Sequence, residues 1–177
     1  SYFSSFGLSL DAGRSFKRGQ KRYGMSISYV HYGIFTYESK GIGLNFGYSI
    51  DLKNKIKLGG VIQNIGKMTK LQTNEVLLPQ RIIVGVSKEL KISKTINFIY
   101  ASVEKNVLVP SAKIYLGNHI NWDRFNFYSG LSSSKKVLET SIGFGVLINS
   151  LEVMYAIRYG SQNIGIPQFI SLRYLLK

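Results

Sequence analysis

Cysteine is absent from the chain, which removes both a disulfide framework and a thiolate metal site. Histidine is nearly absent. His31 and His119 stand far apart in strand-like runs, and each reads as a strand-face residue rather than a ligand. The nine acidic residues are scattered, no two at a spacing that suggests a general acid/base pair, and neither histidine has a serine and an acid placed beside it. A hydrolytic site therefore has little to stand on, and no enzyme activity is expected. No segment approaches the roughly twenty consecutive apolar residues of a membrane-spanning helix. Gly41-Ile42-Gly43 and Gly143-Phe144-Gly145 lack the strand, turn and helix start that a phosphate loop needs, so no cofactor is expected.

What the chain does have is alternation. From Gly41 to Asp51, Ile42, Leu44, Phe46, Tyr48 and Ile50 alternate with Gly43, Asn45, Gly47, Ser49 and Asp51. Side chains of a strand point to opposite faces in turn, so this segment has one greasy face and one thin, hydrophilic face. The pattern predicts about eleven strands by the period-two rule. They cover Phe6–Gly13, Arg22–Tyr32, Gly41–Asp51, Lys55–Ile65, Arg81–Leu90, Thr95–Glu104, Ala112–Asn121, Arg124–Leu131, Ser141–Ile148, Leu151–Tyr159 and Phe169–Leu176. Glycines on the thin face are read as sites of strand curvature or of close approach by a plug.

A soluble sandwich also alternates, but two features favour a transmembrane barrel. The face opposite the apolar one is steadily Gly, Ser, Asn or charge, and the connections alternate in length. Asp51–Lys55, Lys91–Lys94, Asn121–Arg124 and Asn149–Ser150 read as tight turns. Gly33–Lys40, Gly66–Pro79, Lys105–Pro110, Ser132–Lys136 and Gly160–Pro167 read as longer links, with Pro79, Pro110 and Pro167 at strand entries where a missing N–H costs little. The fold expected is all-β: an antiparallel, up-and-down transmembrane β-barrel in a single domain, residues 1–177. With tight turns on the periplasmic side, the link Arg14–Lys21 is periplasmic and the first strand descends from outside. An odd number of strands is then expected ahead of Ser1, so that about eleven visible strands belong to a barrel of about fourteen and the chain is its C-terminal part.

Gly59-Gly60-Val61-Ile62-Gln63-Asn64-Ile65-Gly66, followed by Leu78-Pro79 and Ile83-Val84-Gly85-Val86-Ser87, resembles a passage of the PorV/PorQ family, relatives of the FadL fatty-acid transporter. Val153-Met154-Tyr155-Ala156 and Ile170-Ser171-Leu172-Arg173-Tyr174 are similar to that family's last hairpin, whereas Lys177 departs from its usual aromatic end. The resemblance covers roughly the second half of the chain. It implies a fourteen-stranded barrel in the bacterial outer membrane and a role in type IX secretion, as a binding or anchoring component for secreted or surface proteins. No catalytic residue carries over. The alternative reading is a FadL-like transporter of hydrophobic small molecules, against which the small, polar inner face weighs.

The formal net charge of +14 admits nucleic acid, an anionic membrane surface or an acidic partner. The basic residues fall mostly between strands rather than on one aromatic-rich face, so nucleic acid is set aside. Arg14, Lys17, Arg18, Lys21, Lys53, Lys55, Lys91, Lys94 and Arg124 form a candidate basic periplasmic rim, facing membrane lipid or an acidic partner protein. The longer links carry fewer basic residues, chiefly Lys67, Lys70, Lys105, Lys135 and Lys136. Arg22, Asn45, Lys57, Arg81, Glu152, Arg158 and Arg173 are candidate lumen-facing polar residues, for which a ladder of salt bridges is favoured over a polar route. Tyr23, Tyr29, Tyr48, Trp122, Phe125 and Tyr174 are read as interfacial aromatics.

Overall fold

A computed structural model describes residues 5–34, 37–70, 77–135, 137–161 and 165–174. Among these, eleven strands form one antiparallel sheet whose spatial order is the chain order. They are β1 (Ser5–Arg18), β2 (Lys21–Ile34), β3 (Tyr37–Asp51), β4 (Ile56–Met68), β5 (Arg81–Ile92), β6 (Thr95–Asn106), β7 (Lys113–Trp122), β8 (Phe125–Ser134), β9 (Val137–Ile148), β10 (Leu151–Gly160) and β11 (Gln168–Tyr174). The one helical piece among the described residues is a 3-10 turn at Lys53–Lys55, and no helix is long and apolar enough to cross a membrane.

Every strand expected from the alternation is present, with Leu175 and Leu176 of the last lying outside the described residues, but several run further. β1 continues through Arg14, Phe16 and Arg18, pairing Phe16 with Tyr23 and Arg18 with Lys21. The supposed link Arg14–Lys21 is therefore a two-residue turn at Gly19–Gln20, and Arg14, Lys17 and Arg18 are strand residues. Tyr37–Lys40 extend β3 against His31–Ile34, which leaves only residues 35 and 36 of the link Gly33–Lys40. Ser132–Ser134 likewise remain in β8, opposite Val137–Glu139, and Lys136 lies outside the described residues. The reason is common to all three corrections. Charged and polar residues imitate turn signals, yet a strand tolerates them wherever its ladder hydrogen bonds are met and the long stems lie over neighbouring side chains. The links after Met68, Asn106 and Gly160 are long, as expected.

The tight turns owe their sharpness to left-handed residues. Gly19, Asn54, Lys55, Ser93, Asp123 and Asn149 have φ between 53° and 60°, the backbone that lets a two-residue turn follow the right-handed strand twist.

Burial is inverted relative to a water-soluble protein. The buried apolar residue among those described is Leu78, whereas Ser28, Ser39, Asn126, Ser132 and Glu152 are buried polar ones. Ile42, Val84, Ile142 and Leu172 are 55%, 61%, 66% and 69% exposed. Water-soluble proteins keep most such side chains inside.

The chain divides into two compact units. One comprises Ser1–Asp51, Gly59–Val84 and Lys105–Pro110, the other Leu52–Leu58, Gly85–Glu104 and Ser111–Lys177.

Candidate functional site on the polar face

In the first unit the polar face is thin. Gly24 lies directly opposite Gly47 across β2 and β3, and a Cβ on Gly47 would meet nothing within 4 Å. Ser15, Ser26, Asn45 and Gln63 surround these glycines, with Asp11 and Gly13 on β1, and the open hollow between them measures about 580 Å³. A chain of Asn and Ser hydrogen bonds ending on a carboxylate builds its wall. The Asn45 amide donates to Ser26 Oγ at 2.9 Å and Ser28 Oγ at 2.7 Å, and its carbonyl accepts the Asn64 backbone N–H at 2.8 Å. Ser28 in turn donates to the Asp11 carboxylate. At the tight-turn end Arg22 grips Asp51 with both guanidinium branches, at 3.0 and 2.8 Å. Arg81 is half-buried on the face opposite the exposed Ile82 and Val84.

Glycine has a second use here. Leu78 folds onto the polar face where Gly43 offers no side chain; a Cβ on Gly43 would lie 3.4 Å from Leu78 Cδ1. Asn64 holds this segment by donating from Nδ2 to the Pro79 carbonyl at 3.0 Å. Thus the segment entering β5 at Leu78–Pro79 is drawn in over Gly43. The sequence offered this position as a strand-entry proline only.

The second unit fills its polar face with charge and rings. Glu152 is buried and collects three donors: Asn126 Nδ2 at 3.0 Å, the Tyr128 hydroxyl at 3.2 Å and Arg173 at 3.1 Å. Because a carboxylate only accepts, Asn126 must turn its amide nitrogen to it. Its carbonyl then accepts from Asn121 Nδ2 and His119 Nε2, both at 2.9 Å. His119 is stacked between Tyr128, 4.5 Å away, and Phe98, 5.5 Å away. Nearer the other strand ends, Lys113 pairs with Glu139, which also accepts from Ser132 at 2.9 Å, and Tyr115 donates to Glu104 at 2.8 Å. Arg158 lies 5.2 Å over the Phe169 ring. Lys57 occupies the face of β4 that Gly59 shares.

The structure thus joins Glu152 with Arg173, and Arg22 with Asp51, while Asn45, Arg81, Lys57 and Arg158 stand in other places on the polar faces. Asn126, Tyr128, His119 and Leu78 are not among the lumen-facing residues that the sequence singles out. Their signal was present in the parity of β7 and β8, which puts His119, Asn126 and Tyr128 on the thin face. Which of them meet depends on register between strands, and alternation within one strand does not report it. No group of three metal-ligating residues occurs among the described residues.

The rim residues separate by face. Arg14, Arg18 and Lys21 share the apolar side of β1 and β2, Arg14 lying 5.0 Å over Phe16, and Lys17 points the other way. In the second unit Lys55 pairs with Glu89, Arg124 lies 5.6 Å over Phe125, Lys53 and Lys94 are exposed at turns, and Lys91 is exposed near the end of β5 rather than in the turn.

No protein-family model matches the chain, and no curated protein does. Solved structures do. The KdgM porin superposes with a TM-score of 0.61 at 8% identity, covering 96% of this chain and 100% of that one. The β domain of the Bordetella autotransporter BrkA gives 0.56 at 13% identity, over 98% and 91%. A mutant of the Rh. blastica porin gives 0.53 at 12% identity, over 85% of this chain and 55% of that one. The fold is that of a membrane β-barrel. In such a wall the exposed apolar face meets lipid, which accounts for the inverted burial.

Proposed function

We propose that the protein is a non-enzymatic barrel of the bacterial outer membrane that binds or anchors a partner protein in secretion or in a cell-surface complex. The observation that carries this reading is the filling of the second unit's polar face by the protein's own groups, with Leu78 drawn onto that of the first. Glu152 is locked by Asn126, Tyr128 and Arg173, and Leu78 is seated over Gly43. A barrel so knitted is suited to hold its shape while its ends engage a partner. The likeness of Gly59–Gly66, Leu78-Pro79 and Ile83–Ser87 to the PorV/PorQ family supports the same reading and extends it to type IX secretion.

FadL-like transport of hydrophobic molecules is less well supported, because the hollow of the first unit is bordered by Asp11, Ser26, Asn45 and Gln63. Single-channel recording in planar bilayers, combined with affinity purification from the native membrane, tests the proposal. Anchoring predicts little steady conductance and a stoichiometric protein partner. A large conductance blocked by polar solutes, or saturable uptake of fatty acids with no partner, would overturn it.

A further inference from the structure

The apolar side of the first three strands is layered. Ala12, Ile27 and Leu44 form one row across β1, β2 and β3. Arg14, Met25 and Phe46 form the next, Phe16, Tyr23 and Tyr48 the third, and Arg18, Lys21 and Ile50 the fourth, beside the Gly19–Gln20 turn. An aromatic row thus lies between two rows that carry cations, Arg14 in one and Arg18 and Lys21 in the other. Phe16, Tyr23 and Tyr48 are 49%, 45% and 41% exposed, and the rings of Tyr23 and Tyr48 lie 5.3 Å apart. Arg14 starts one row deeper, yet its guanidinium reaches back over the Phe16 ring at 5.0 Å. That is the course of a cation rising along an aromatic towards the membrane–water boundary. The three cations therefore flank one aromatic shelf, on the side that faces lipid.

We infer that this shelf is a binding site for the headgroup phosphate of an anionic glycerophospholipid in the leaflet at the tight-turn ends of the strands. Arg14, Arg18 and Lys21 meet the phosphate, and Phe16, Tyr23 and Tyr48 carry the glycerol region and upper acyl chains. Only charges on the apolar side take part, so the site is more selective than a basic rim. Lys17 faces away from it and Lys94 belongs to another turn.

Native mass spectrometry of the detergent-purified protein, exchanged into mixtures of phosphatidylglycerol and phosphatidylcholine, tests the site. The wild type should keep phosphatidylglycerol preferentially, and Arg14→Gln/Arg18→Gln/Lys21→Gln should lose that preference by about fivefold per charge removed. The loss should shrink as ionic strength rises. Lys17→Gln/Lys94→Gln should leave the preference unchanged. Equal losses per charge in the two variants would reduce the effect to bulk charge and overturn the site, as would a wild type with no preference for phosphatidylglycerol over phosphatidylcholine. Should the triple variant fail to fold, Arg14→Gln alone must still lower phosphatidylglycerol retention; unchanged retention in that variant rejects the proposal.

Discussion

The polar faces of the two units meet the same demand differently. In the first unit glycines open space, and neutral Ser and Asn side chains bond around it, with Asn45 as the hub. In the second, aromatic rings and ion pairs occupy the space, with Glu152 as the hub. Both units present aliphatic and aromatic side chains to lipid, so the lipid side imposes one composition. The other side leaves two solutions open: a thin wall, or a wall filled with mutually satisfied polar groups. The thin wall makes a hollow and accepts Leu78, and the filled one braces strands.

Arginine scanning on either side of one strand probes what the units share. Phe144→Arg, on the apolar face of β9, should cost about 2–4 kcal/mol, and Ser141→Arg on the polar face much less. Denaturant unfolding in lipid vesicles, followed through the single tryptophan, Trp122, measures both. Equal costs would abolish the assignment of faces. Within the second unit, Glu152→Leu strips three donors of their acceptor and should cost about 1–3 kcal/mol. The matching change in the first unit, Asn45→Leu, strands the Asn64 N–H and should cost a similar amount by the same assay. A much smaller effect there would mean that water in the hollow replaces the amide.

Glycine substitutions separate the closed part of the thin wall from its open part. A Cβ at Gly41 would lie 2.6 Å from Met68 Cγ and 3.0 Å from the Lys67 carbonyl oxygen. Gly41→Ala should therefore destabilise by about 1–3 kcal/mol. Gly47 faces open space, so Gly47→Ala should be neutral or stabilise by about 0.5 kcal/mol, since glycine in a strand carries an entropic cost. If both alanines behave alike, the hollow is not open in solution.

Alternation within Gly41–Asp51 or Leu151–Tyr159 was enough to place strands, because the side-chain period of two is a local property of the backbone. It was also enough to separate lipid-facing residues such as Ile42 and Phe144 from those on the polar side. Strand ends were less legible. Arg14–Arg18 and Tyr37–Lys40 carry charges and rings that imitate turns, and only pairing with Lys21–Met25 and His31–Ile34 draws them into the ladder.

The sequence by itself therefore determined an antiparallel wall with one apolar and one polar side, its turns and the excess of positive charge. Tertiary structure alone decided that Glu152 gathers Asn126, Tyr128 and Arg173 from two other strands, that Leu78 lies over Gly43, and that Arg14 rises over Phe16. Each of these depends on register between strands or on the path of a side chain. Those are settled by packing between segments distant in sequence, whereas face and turn are settled by the few residues on either side.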